Sequence, residues 1–207
     1  MKASLKSRRA DERRYQLLAH AAALFASKGY AAASVREIVA AAGVTKPVLY
    51  YYFGNKAGLF NALMQTALER LREVVAKAAE RRGAAQERIR VLAEALYDLA
   101  VEELDVTRLF HVMFFTPDHG APEFDIGAFN QIFESAMADL IRLGIADGSL
   151  RNGDQKAMTW TVVAAVYLAI DAELYHPEAA PGRDGLKRML ELIFQGLEAR
   201  DRQVNSV

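Results

Sequence analysis

Apolar side chains recur three or four residues apart along nearly the whole chain, and the strict alternation that marks strands is missing. The spacing predicts a first helix over 11–27, with Leu18, Ala21, Ala22 and Phe25 on its inner face and Gly29 just beyond its end. Ser34 followed by Glu37 forms a capping box. It opens a short helix over 35–42, whose Val35, Ile38, Val39 and Ala42 make an inward stripe. Gly43-Val44 turns the chain, Thr45 caps a third helix, and Pro47 sits in its first turn, where a missing N–H is harmless. Gly54-Asn55 breaks that helix, and Asn55 caps a fourth that reaches toward Arg82. Further helices are predicted near 85–101, 103–115, 125–146, 155–175 and 184–200, separated by Pro- and Gly-containing breaks.

The fold class expected is all-α with about nine helices. A three-helix head over 1–60, whose first ten residues form a disordered basic arm, leads into a larger helical bundle over 61–207. The fourth helix runs through the boundary, so no flexible linker is expected there.

Composition narrows the class. Of 207 residues, 52% are hydrophobic and 25% charged, which suits a globular protein. With no cysteine, disulfides and thiolate metal sites are impossible. Residues 1–14 are basic but lack the apolar stretch of a signal peptide. No apolar run is seen to approach the roughly 18 residues that span a bilayer. A cytoplasmic protein without a membrane partner is the expectation.

Net charge is zero, yet residues 1–60 hold ten Lys/Arg against three acids, a local excess of +7 that the remainder cancels. Such asymmetry suits a polyanion-binding head on an acidic body, although a solvated basic N-terminus would look the same.

The segment over 34–53 fits a helix-turn-helix: a capped short helix, a glycine turn, and a second short helix carrying Thr, Lys and aromatics. Such a motif must present the start of its second helix to base edges while the other face stays pinned. Leu49 and Phe53 can pin it; Lys46, Val48 and Tyr51 then lie toward the groove, with Thr45 at the cap. Tyr50 is as well placed to pack inside as to touch DNA.

These residues make the sequence resemble the TetR-type repressors over roughly residues 12–63. The likeness is carried by 22–30 (Ala-Ala-Leu-Phe-Ala-Ser-Lys-Gly-Tyr), by the helix-turn-helix, and by 54–60 (Gly-Asn-Lys-Ala-Gly-Leu-Phe). Within them Gly29, Arg36-Glu37-Ile38, Ala42-Gly43-Val44, Leu49-Tyr50, Phe53 and Lys56 keep the family's spacing. The resemblance implies that Thr45, Lys46, Pro47 and Val48 approach bases and that Tyr50, Tyr51 and Tyr52 touch phosphates or bases. It implies that Lys56, Ser34 and Arg36 bind phosphate at helix starts. The chain departs from the family at Pro47, Tyr52 and Gly54. Pro47 and Val48 offer few hydrogen-bonding groups, which suits thymine methyl contacts and leaves the operator sequence open. A minor-groove role for Arg8 and Arg9 is an analogy with other basic arms.

Behind the head, any single large side chain fits ordinary bundle core. Taken together, the aromatics and Met resemble the lining of an apolar cavity, which the family likeness also implies. Tyr97, Phe110, Phe114, Phe133 and Met137 are candidate ligand contacts, with Glu94, His111 and Trp160 as polar handles. Val162, Ala165, Leu168, Ala169 and Ala172 form a broad apolar face on one late helix, and Leu186, Met189, Leu190, Ile193 and Leu197 a stripe on the next. The likeness implies that they pair two copies as a four-helix bundle.

Zinc-protease spacing, Gly-rich phosphate loops and nucleophile elbows are missing. Asp118, His119 and Glu123 could bind a metal, but a solvated loop explains them better, and no metal or cofactor is expected. The function expected is a non-enzymatic repressor that binds a palindromic DNA operator as a homodimer and is released by a small, largely apolar effector. The other classes left open are an effector-independent DNA-binding protein and a small helical enzyme.

Overall fold

A computed structural model describes residues 2–116 and 120–197, with side chains over 11–116 and 120–196. Arg8, Arg9, Asp118, His119 and Leu197, all singled out in the sequence, therefore lie outside the described side chains. Among the described residues there are nine helices and no strand: α1 Lys2–Lys28, α2 Val35–Ala41, α3 Lys46–Phe53, α4 Lys56–Ala79, α5 Ala85–Glu102, α6 Leu104–Phe115, α7 Ile126–Asp147, α8 Gln155–Tyr175 and α9 Gly182–Leu197.

Two ends differ from expectation. α1 starts at Lys2 and absorbs the segment expected to be disordered. Residues 2–10 hold Lys, Arg, Ala, Leu and two Ser and no Gly or Pro, so no helix breaker interrupts them. α4 stops at Ala79, short of Arg82. Gly83 beyond it takes φ +131°, a conformation open to glycine.

The chain forms two compact units, Met1–Arg70 with Glu103–Ile126 and Leu71–Glu102 with Gly127–Val207. The expected boundary after residue 60 gave α6 to the second domain, whereas α6 packs on α1 in the first unit. Sequence order hides this, because the segment returns after an excursion through the other unit.

In the first unit, Leu17, Leu18, Ala21 and Phe25 of α1 meet Ile38 and Val39 of α2, Leu49 of α3, Leu59, Phe60 and Met64 of α4, and Leu109 and Met113 of α6. Phe25, Tyr30 and Phe60 close a ring of tilted and edge contacts with centroids 5.2–5.9 Å apart. Each fully buried Leu, Ile or Phe contributes about 1.5–3 kcal/mol of hydrophobic stabilisation. The short α2 and α3 need that anchorage, since isolated helices of this length are unstable in water.

The second unit packs α5, α8 and α9 against one another. Its interior includes Ile89 and Leu92 of α5, Phe133 and Met137 of α7, Val162, Val163, Val166 and Ala169 of α8, and Leu186 and Leu190 of α9. Gly144 permits a close approach: a Cβ there would lie 2.7 Å from Leu150 Cδ1 and 2.8 Å from Ala85 Cβ.

α8 corrects the reading of hydropathy, since its 21 residues are long and apolar enough to cross a membrane by composition. Half of its most apolar window is buried inside the unit, as in a central core helix.

Candidate nucleic-acid interface

The head is built by local rules that aim one short helix outward. Ser34 Oγ accepts the Glu37 N–H at 3.2 Å and the Glu37 carboxylate accepts the Ser34 N–H at 2.9 Å, so both halves of the capping box form. Lys28 Nζ donates to the same carboxylate at 2.6 Å. That bond, followed by those from Ser34, lowers the Glu37 pKa from 4.5 to about 2. With the α2 start fixed, Ile38 and Val39 face the core and Arg36 is exposed.

Gly43 turns the chain with φ +63° and delivers Thr45 to the N-cap of α3. Here expectation needs correction: the Thr45 side chain makes no capping bond. Pro47 follows the first helical residue and has no N–H to offer, and the Val48 N–H already binds the Thr45 carbonyl at 3.0 Å. The hydroxyl is left at the exposed tip of the helix.

Leu49 is fully buried and pins α3, with Phe53 half-buried behind it. Thr45, Lys46 and Pro47 are exposed, Tyr50 is 47% exposed and Tyr51 is 83% exposed. Val48, expected to face a groove, is half-buried against the core, as is Tyr52. The aromatic row is braced, with Tyr51 edge-on to Tyr52 at 5.2 Å.

The sequence reading missed Arg14. Its guanidinium lies 5.8 Å from the Phe53 ring centroid, placing a cation beside the C-terminal end of α3. Only the fold brings α1 and α3 together, so spacing carries no signal of it.

Lys56 is the other surprise. Its ammonium donates to the carbonyls of Tyr30 at 2.7 Å, Ala33 at 2.9 Å and Ala31 at 3.4 Å, and lies 4.2 Å from the Tyr30 ring centroid. Ser34 and Arg36, the other expected phosphate ligands, are exposed.

An outward cationic helix on a pinned helix-turn-helix is a duplex-binding device. Residues 17–63 match the family described as bacterial regulatory proteins, tetR family. Residues 17–63 thus form a DNA-binding domain of the TetR family of transcriptional regulators. The repressor KstR2 of Rhodococcus jostii is 28% identical over 195 residues, spanning 89% of this chain and 91% of that protein. The activator FasR of Mycolicibacterium smegmatis is 38% identical over 99 residues, so the match spans 48% of this chain and 45% of FasR. The ketosteroid regulator KstR2 of Mycobacterium tuberculosis shares the fold, with a TM-score of 0.74 at 21% identity over 91% of this chain and 96% of that one.

The ligand candidates divide between the units. Phe110, His111 and Phe114 sit on α6 in the first. Phe110 is edge-on to Phe124 at 5.8 Å, His111 lies tilted against Phe115 at 4.5 Å, and Phe114 is 54% exposed. In the second unit Phe133 and Met137 are buried, while Glu94 pairs with Arg183 at 2.7 Å. Tyr97 donates a short hydrogen bond to Glu173. Burial first, and then that carboxylate, pushes the Tyr97 hydroxyl far above its ordinary range. Trp160 is 49% exposed on the outside of α8, away from the polar role expected of it.

The pairing candidates also change. Val162, Ala165, Ala169, Leu186 and Leu190 are buried in the chain's own core, so they cannot meet a partner. Ala172, Met189 and Ile193 are half-buried, and Leu168 is 64% exposed. The outward stripe of α8 is instead Trp160, Ala164, Leu168 and Tyr175, spaced as one helical face.

Proposed function

We propose that the protein is a cytoplasmic repressor that binds a palindromic operator as a homodimer and releases it when a small, largely apolar effector binds the second unit. The observation that carries the reading is α3: Leu49 is fully buried while Lys46, Pro47 and the 83% exposed Tyr51 point outward. One such helix reads few base pairs, and a twofold pair reads both halves of a palindrome.

The outer stripe of α8 supports pairing. Trp160, Leu168 and Tyr175 are 48–64% exposed on one side of the helix, and large exposed apolar side chains grouped on one face mark an interface. Repression is favoured over activation because the likeness to a repressor spans 89% of the chain, whereas the likeness to the activator spans 48%. An apolar effector suits the interior around Phe133 and Met137, where the Tyr167 ring lies 6.0 Å from that of Phe133 and brings a hydroxyl for a polar group. Its coupling to DNA release would be worth about 1–3 kcal/mol.

A duplex selected from a random pool provides the test. Hydroxyl-radical footprinting is expected to show two protected patches related by twofold symmetry, about 34–36 Å or a multiple apart. Leu168→Glu should sediment as a monomer and lose the paired footprint. Full-affinity binding by a wild-type monomer, or a footprint without symmetry, would overturn the proposal.

A further inference from the structure

We infer that Lys56 is a positioning residue that clips the start of α4 to the α1–α2 turn, and that its charge is used inside the head instead of on a DNA phosphate. The inference rests on the DNA-binding reading and assigns Lys56 a different part in it. A lysine ammonium has three N–H donors and no acceptor. Three carbonyls, those of Tyr30, Ala31 and Ala33, already take them, and the Tyr30 ring covers a further side. A phosphate would have to break this set before gaining a single bond.

The arrangement also has an electrostatic reason. Lys56 is the first residue of α4, where the helix dipole disfavours a cation. By reaching back 26 residues it places the charge just past the C-terminal end of α1, where carbonyls and the dipole favour it.

The geometry explains what is positioned. The turn it gathers runs straight into Ser34, the cap of α2. The backbone that carries it follows α3 through Gly54 and Asn55, whose side chain caps the Gly58 N–H at 2.8 Å. The ammonium therefore ties the entry of α2 to the exit of α3. Leu49 fixes the middle of the reading helix, and Lys56 fixes its far end relative to Ser34 and Arg36.

The experiment compares Lys56→Gln and Lys56→Arg with wild type on two probes: a duplex selected from a random pool and a scrambled duplex of equal length. Thermal melts first establish that each variant is folded at the assay temperature. Arginine keeps the charge, but its planar fork cannot aim three N–H groups at carbonyls converging on one point. Both variants are expected to lose roughly tenfold or more on the selected duplex, the size of one lost base contact. Their salt slopes and their affinity for scrambled DNA should stay at wild-type values.

Losses equal on both probes, with a slope shallower by about one unit in Lys56→Gln and retained in Lys56→Arg, would identify a phosphate ligand and overturn the inference. Wild-type affinity of both folded variants on both probes would overturn it too. Failure of wild type to bind either duplex would instead sink the DNA-binding reading itself.

Discussion

Glu37 joins three devices at one carboxylate: the capping box of α2, the Ser34 hydroxyl at 2.8 Å, and the Lys28 ammonium at 2.6 Å. Because its pKa falls from 4.5 to about 2 in the folded chain, the unfolded state binds its proton more tightly. The stabilisation is therefore fully present above pH 4.5 and is lost as pH falls from there through about 2. Amide exchange across α2 should stay protected from pH 7 to 5 and weaken below 4.5, and Glu37→Gln should remove that dependence while loosening α2 at neutral pH. A Glu37→Gln protein with the wild-type acid profile would refute the assignment. The capping box was legible in the sequence because its partners are three residues apart. Lys28, Lys56 and Arg14 were not, because their partners come from other elements and spacing cannot encode them.

Between elements, the α3–α4 junction is the tightest point of the head. Gly54 leaves α3 with φ +74°, and a Cβ on Gly58 would collide with the backbone oxygen of Phe53. Gly58→Ala should cost about 1–3 kcal/mol of head stability by overpacking. Gly196→Ala, in α9 with nothing within 4 Å, should be neutral or slightly stabilising. Thermal melts of the two variants check this, and equal melting points would contradict it. The helix list followed from periodicity, caps and breakers, which are local. Periodicity failed on α8: with apolar residues on every side, no face is marked as inward. Val162, Ala165 and Ala169 consequently looked like partner contacts although they are this chain's own core. Similarly, Pro47 fitted the first turn as expected, but its cost to the Thr45 cap emerges only from the placement of the Val48 N–H.

At the scale of the molecule, charge is divided: the first 60 residues carry a local excess of +7, which the remainder cancels. The helix-turn-helix was legible in the sequence, since such a motif compresses its signals into about twenty residues. The membership of α6 in the first unit was not, because the chain leaves that unit after Arg70 and re-enters at Glu103. The central claim is that α3 meets a duplex polyanion through its exposed face. The most direct measurement is the affinity for a selected duplex as a function of salt, for wild type and Lys46→Ala. Wild-type affinity should fall steeply with salt, and the variant's slope should be shallower by about one unit. Salt-independent binding, or a Lys46→Ala protein whose affinity and slope both match wild type, would contradict it.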